Sequence, residues 1–211
     1  MKKIIPQTIK NIYHFFQAVL ANIRYGFPSR KLKIIGVTGT NGKTTTVQMI
    51  AKILEESGRK IAVASTINFK IGDREWVNDT KFTTFSSFKL QEFLKKADEA
   101  GCEYAIIEVT SHAFDQNRVW GVDFDVAVIT NITREHLDYH KTMERYQKAK
   151  QRLFEMVAEK EDGVAVVNLN MENAEGLLKY GAKKIFGYFL ESQSSKLKAI
   201  TQNLKLLLRE I

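Results

Sequence analysis

Apolar positions along this chain switch between two periods, and the switches mark its elements. From 5 to 25, Ile5, Ile9, Ile12, Tyr13, Phe16, Val19, Leu20 and Ile23 recur every three or four residues. That spacing predicts an amphipathic helix with one broad apolar face. Gly26-Phe27-Pro28-Ser29 closes it, because the residue before proline is pushed out of the α region. Short apolar runs predict strands at 32–37, 61–65, 104–109, 126–129 and 164–167, with strand-like pieces at 184–188 and 204–208. Helical spacing returns at 43–57 (Val47, Met49, Ile50, Ile53, Leu54), at 86–100 (Phe88, Leu90, Phe93, Leu94, Ala97) and at 142–158. Residues 68–70 and 75–77 read as a small hairpin turning at Gly72-Asp73. Strands alternating with helices predict an α/β fold, a mainly parallel sheet flanked by helices, preceded by the N-terminal amphipathic helix. In such sheets ligands bind at the carboxyl ends of the strands.

The first strand runs into Gly36-Val37-Thr38-Gly39-Thr40-Asn41-Gly42-Lys43-Thr44-Thr45-Thr46. A strand, a glycine-punctuated turn and a helix start form a phosphate-binding device. Glycines admit a polyphosphate close to the backbone, helix N–H groups face it, and Lys43 adds a mobile charge. The Thr44 hydroxyl stands where a Mg²⁺ ligand is expected. The usual spacing is glycine, four residues, then Gly-Lys-Ser/Thr. Here Val37 occupies the first glycine's place, so the loop is a P-loop variant.

Composition narrows the setting. The chain has 211 residues and 44% apolar content, enough for a real core. One cysteine, Cys102, excludes an intrachain disulfide framework and fits a reducing cytosol. No apolar run approaches the ~20 residues of a membrane span. Met-Lys-Lys at the start lacks the apolar core and cleavage site of a secretory signal. The net charge of +8 favours anionic partners. The lysines are scattered and form no compact run, so nucleic acid is not expected. The first helix either packs on the following domain or lies on a membrane surface or partner.

The later strands deliver further chemistry. Glu108 ends an apolar run, where a carboxylate is costly unless paired or metal-bound. Thr110, Ser111, His112, Gln116 and Arg118 follow it. The strand at 126–129 delivers Thr130, Asn131, Glu135, His136, Asp138 and His140. No CxxC or HExxH pattern supports zinc. By periodicity alone, Lys148 and Lys150 read as surface lysines.

Four motifs in order resemble the Mur ligase family, and among its types the MurE type. They are Gly39-Thr40-Asn41-Gly42-Lys43-Thr44-Thr45, then Thr83-Thr84, then Glu108-Val109-Thr110-Ser111-His112 with Gln116 and Arg118. The fourth is Thr130-Asn131 through His136-Leu137-Asp138-Tyr139-His140 to Ala149-Lys150. The likeness runs over roughly residues 32–190. It implies an ATP-dependent amide ligase of peptidoglycan precursor synthesis in the cytoplasm, joining meso-diaminopimelate or lysine to UDP-MurNAc-dipeptide through an acyl phosphate. It implies that Thr40, Asn41, Gly42, Lys43, Thr44, Thr45 and Asn131 bind ATP. Thr44, Glu108, His136 and a carbamylated Lys150 would serve Mg²⁺, while Thr83, Thr84, Thr110, Gln116 and Arg118 would bind the UDP-MurNAc-peptide. Lys43, Glu108, His136 and Lys150 would be the catalytic set.

Two positions depart from the family pattern. Phe85 stands where proline usually follows the threonines, and Asn168-Leu169-Asn170-Met171 replaces an asparagine followed by paired aspartates. The expected division is a helix and linker at 1–31 and a central ATP-binding domain at 32–211. Substrate-binding and amino-acid-binding domains are expected to be missing, and a separate chain could supply the latter. The competing readings are a non-catalytic module binding ATP or UDP-MurNAc-peptide, and a folylpolyglutamate-synthase-like ligase.

Overall fold

The computed structural model describes residues 6–80, 83–172 and 174–189. The strand-like piece at 204–208 lies outside them, as do Ile5, Lys81 and Phe82. In chain order the elements are α1 (Gln7–Tyr25), a 3-10 turn (Pro28–Lys31), β1 (Lys33–Thr38), α2 (Lys43–Glu56), β2 (Ile61–Ala64), β3 (Asn68–Ile71), β4 (Arg74–Val77) and α3 (Ser87–Glu99). They continue with β5 (Tyr104–Glu108), α4 (Ser111–Asp115), β6 (Phe124–Ile129), α5 (Leu137–His140), α6 (Met143–Ala158), β7 (Val164–Asn168), α7 (Ala174–Leu178) and β8 (Lys184–Tyr188).

The eight strands form one sheet in the order β4-β3-β2-β5-β1-β6-β7-β8. All neighbours are parallel except β2–β3 and β3–β4, which make the expected hairpin at one edge. Gly72 takes a left-handed φ of 56° in its turn. The central strands are continuous apolar runs because both their faces are covered. On one face Ile35, Val37, Ile61, Val63, Ile106 and Val128 meet Val47 and Ala51 of α2. On the other, Ile34, Ile107, Phe124 and Ile129 pack under Leu90 and Leu94 of α3, Phe114 of α4 and Leu153 of α6.

Two local features position the site. β1 is central, with β5 and β6 on either side, so the loops after these three strands open at the same sheet end. At Gly36, a Cβ would stand 2.8 Å from Leu153 and 2.9 Å from Phe124. The missing side chain lets α6 approach β1 closely and carries the first turns of α6 under the loop after β1.

The first helix packs on the rest of the domain, one of its two expected roles, but not through its broad apolar face. It packs against α3 and buries Ala18, Ala21 and Asn22. Phe15 meets Trp120 edge-on at 5.1 Å, and Asn22 Nδ2 donates to the Trp120 carbonyl at 2.9 Å. Ile9, Ile12, Tyr13, Phe16, Leu20 and Ile23 are all more than half exposed. The small side docks because two backbones approach more closely over alanine than over isoleucine, and the broad apolar stripe faces outward.

Candidate active site

At the carboxyl end of the sheet, the loop after β1 is pinned from behind. Gly39 has φ 150°, and a Cβ there would lie 1.8 Å from Thr130 Oγ1. Thr40 N donates to the Asn131 carbonyl and Asn41 N to Asn131 Oδ1, both at 2.9 Å. Thr130 Oγ1 and Asn131 Nδ2 donate to the Asn41 carbonyl at 2.6 and 2.9 Å. Gly42, also left-handed at φ 80°, turns the chain into α2. The loop is thus held open by β6-end residues, with its helix N-terminus facing the cleft. Lys43 Nζ folds back to donate to the Thr40 carbonyl at 2.8 Å.

Glu108 lies at the centre. It is 1% exposed, and its cost of burial is offset by donors. Thr44 Oγ1 donates to Glu108 Oε2 at 3.0 Å and Thr66 N to the same oxygen at 2.9 Å. A hydroxyl and a carboxylate in direct contact beside a phosphate loop are a hard-oxygen donor pair, of the kind that holds Mg²⁺ when phosphates and waters complete the shell. Among the described residues no group of three or more His, Cys, Asp or Glu side chains could hold a metal alone. The donor set therefore suits Mg²⁺ brought with a polyphosphate.

Beyond Glu108 the cleft continues along two threonines and an arginine. Thr84 Oγ1 donates to the Glu108 carbonyl at 3.2 Å and lies 3.3 Å from Thr110 Oγ1. Thr110 caps α4. Arg118 donates to the Thr84 carbonyl at 2.9 Å, while its buried Nε has no partner. Burial lowers the Arg118 pKa. A buried guanidinium nitrogen without an acceptor is costly, and a carboxylate ligand would supply one.

His136 opens α5 with a left-handed φ of 54°, a conformation that non-glycine residues adopt at a cost. Its ring stands 4.8 Å from His112, edge to face. Burial, and then the neighbouring His136 and His140, push the His112 pKa down to about 4, so it is neutral near pH 7.

One cleft of about 620 Å³ gathers Thr40, Asn41, Gly42, Lys43, Thr44, Thr83, Thr84, Glu108, Thr110, Gln116, Arg118 and His136. Of the expected site residues, three stand apart. Thr45 is exposed on α2 and lines no part of it. Asn131 backs the loop and lines an adjoining pocket of about 450 Å³ with Gln147, Asn168 and Asn170. Lys150 lies beneath the loop, 2% exposed, donating to the Gly39 carbonyl at 2.6 Å. The periodicity reading of Lys150 as a surface lysine is therefore corrected. It occupies the buried stripe of α6 with Tyr146, Ala149, Leu153, Phe154 and Val157. Desolvation, then the charge of Lys43, push its pKa down to about 7.

Thr66, His112 and Glu135 also line the cleft and had drawn no assigned role. Thr66 follows β2, so the strand-end rule was the signal for it. Glu135 precedes His136 in the chain, whereas His112 meets it only through the fold.

Comparison with known proteins places this geometry. Residues 37–207 match the Mur ligase middle domain. The UDP-N-acetylmuramyl-tripeptide synthetase of Roseiflexus sp. (strain RS-1) is 49% identical over 150 residues, 70% of this chain and 30% of the relative. The UDP-N-acetylmuramoyl-L-alanyl-D-glutamate--2,6-diaminopimelate ligase of Bacillus cereus is 41% identical over 190 residues, 88% of this chain and 38% of the relative. A solved structure of a ligase of that second name superposes with a TM-score of 0.66 at 37% identity, over 76% of this chain and 32% of the other. The folylpolyglutamate synthase of Mycobacterium tuberculosis complexed with ADP, 19% identical with a TM-score of 0.60, shares the fold. The chain spans about a third of the length of the curated relatives it matches. With the family match running from the end of β1 to residue 207, and relatives this similar, the chain belongs to the Mur ligase family.

Proposed function

We propose that residues 32–211 form the ATP-binding domain of a MurE-type ligase, and that its cleft activates the terminal carboxylate of UDP-MurNAc-dipeptide for coupling to meso-diaminopimelate or lysine. The observation that carries this is the continuity of the cleft. A phosphate loop with Lys43 lies at one end, the Thr44–Glu108 pair in the middle, and half-buried Arg118, whose buried Nε has no partner, at the other. Such a site sets a γ-phosphate beside a carboxylate.

Each residue then has a task. Loop N–H groups and Lys43 take the phosphates, with Lys43 exchanging its Thr40 carbonyl for phosphate oxygens. Thr44 and Glu108 would hold Mg²⁺, with His136 nearby for a second ion; these ions supply charge neutralisation on the phosphates. Arg118, Thr84, Thr110, Thr83 and Gln116 orient the peptide end. A carboxylate oxygen attacks the γ-phosphorus, the bond to the β–γ bridging oxygen breaks, and ADP leaves. The amine then attacks the acyl carbon, the carbon–oxygen bond to phosphate breaks, and the amine loses a proton. Positioning and electrostatics carry both steps. Lys150, neutral in part near pH 7, is suited to carbamylation: its amine adds to CO₂ with loss of a proton, converting an ammonium to an anionic oxygen ligand. An ATP-fuelled reaction and a single buried thiol suit the cytoplasm, and no described helix is long and apolar enough to cross a membrane.

The test is positional isotope exchange in labelled ATP with UDP-MurNAc-dipeptide and no amino acid. Exchange that needs the dipeptide and is lost in Lys43→Ala supports acyl-phosphate formation. ATP binding without exchange would reduce the chain to a nucleotide-binding module, and unchanged ATP affinity in Lys43→Ala would remove the site itself.

A further inference from the structure

The stripe that α1 leaves uncovered plays no part in the chemistry above. Ile9, Ile12, Tyr13, Phe16, Leu20 and Ile23 are each more than half exposed. On a helical wheel they fall within an arc of about 100°, and from Ile9 to Ile23 they run about 21 Å along the axis. No charged or amide side chain of α1 falls inside that arc. Together they make an apolar patch on the order of 600 Å², the upper end of what a monomeric protein carries, and such patches mark interaction surfaces.

The opposite face of α1 fixes the stripe outward. Near the start of the helix, Gln7 Nε2 donates to the Tyr139 hydroxyl at 2.8 Å and Asn11 Nδ2 to Asp115 at 3.2 Å. Near its end, Asn22 Nδ2 donates to the Trp120 carbonyl at 2.9 Å, and Ala18 and Ala21 are buried. The helix is therefore formed and oriented before anything covers the stripe, so docking there does not have to order it.

Charge selects the occupant. Residues 1–31 hold six lysines and arginines and no aspartate or glutamate, so most of the net charge of +8 belongs to this segment. Arg24 and Lys10 border the stripe along one side. Among the described residues Lys10, Arg24 and Arg30 are in no ion pair, while Lys31 meets Asp98 at 3.3 Å. A second copy fits poorly: two such stripes packed together, in either direction, set cations against cations with no acid on α1 to pair them. An anionic lipid surface answers both features. Its acyl chains take the apolar stripe, and its headgroup phosphates take the bordering cations.

We propose that α1 is a docking helix for an anionic lipid surface, lying in the plane of the bilayer with Ile12 and Phe16 at the centre of the inserted stripe and Lys10 and Arg24 at the phosphates. The proposal is independent of the ligase reading.

Co-sedimentation of the full chain with vesicles tests it, using phosphatidylcholine alone and phosphatidylcholine with about one third phosphatidylglycerol. The chain should bind the anionic vesicles at least about tenfold more strongly than the neutral ones, and added salt should weaken the binding. Ile12→Ser/Phe16→Ser and Lys10→Glu/Arg24→Glu should each lower the partition coefficient by about tenfold or more. Met49→Ser/Ile53→Ser removes two comparably exposed apolar side chains from α2 and should leave binding intact. Phe16→Trp should give an emission on anionic vesicles that brominated acyl chains quench. Equal melting temperatures without lipid will show that the variants fold. No binding to anionic vesicles, equal binding to neutral ones, or binding unmoved by Ile12→Ser/Phe16→Ser would overturn the proposal. So would a dimer in sedimentation equilibrium that Ile12→Ser/Phe16→Ser dissociates, because a second copy would then cover the stripe.

Discussion

Lys150 shows how one residue's environment becomes a measurable property. Its ordinary pKa is 10.5, and burial with Lys43 nearby brings it to about 7. Between those values the unfolded chain holds a proton that the folded chain has released. Stability therefore rises with pH across that window, by an amount on the order of a few kcal/mol, and the full cost of a buried ammonium is felt below pH 7. Urea titrations from pH 6.5 to 10 should show the slope, and Lys150→Met should flatten it. At pH 8 with ¹³C-labelled bicarbonate, a carbamate resonance should appear in the wild type and vanish in Lys150→Arg. Gly39 is the second telling residue. With φ 150° and Thr130 Oγ1 at 1.8 Å from any Cβ, Gly39→Ala should destabilise the fold by about 2–4 kcal/mol and remove ATP binding. Gly58→Ala, left-handed but with open space around it, should cost less and leave ATP binding intact.

At the scale of elements, α1 carries the sharpest contrast between pattern and packing. Its periodicity was legible from residue 5 to 25, but periodicity measures only that a helix has two faces. Which face docks depended on α3, where close approach favours Ala18 and Ala21, and on Trp120, which receives Phe15. Ala18→Leu or Ala21→Leu should therefore cost about 1–3 kcal/mol through overpacking. Ile12→Ser with Phe16→Ser, on the exposed stripe, should change stability by no more than about 0.5 kcal/mol in chemical denaturation. The short helices α4, α5 and α7 escaped periodicity because four or five residues do not complete an amphipathic repeat. The hairpin, in contrast, was legible because Gly72-Asp73 supplies its own turn chemistry.

The whole molecule joins binding to stability. A nucleotide that binds only the folded chain at a hundred times its Kd adds about 2.7 kcal/mol. For a domain of this size that raises Tm by roughly 5–10 °C. Scanning calorimetry with saturating ATP and Mg²⁺ should show the rise, EDTA should diminish it, and Lys43→Ala should abolish it. The shift has a structural cause: the phosphate loop is tied to β6 through Thr130 and Asn131, and to β5 through Thr44 and Glu108. Ordering the loop on ATP therefore strengthens contacts across the three central strands.

The sequence by itself determined the order of the described strands and of the longer helices, the phosphate loop and the family, because these depend on local periodicity and on residues adjacent in the chain. Lys43 and Thr44 could be assigned from the turn they sit in, and Glu108 from being a carboxylate in an apolar run. The tertiary structure alone decided what those residues meet. It placed Thr66 on Glu108 across 42 residues and Lys150 on the Gly39 carbonyl across 111, and it left Arg118 with a buried unpaired nitrogen. Such contacts depend on sheet order and on close approaches such as the one at Gly36, which lets α6 settle under the loop. The energy of a buried charge is set by neighbours in space, and the chain's local pattern carries no record of them.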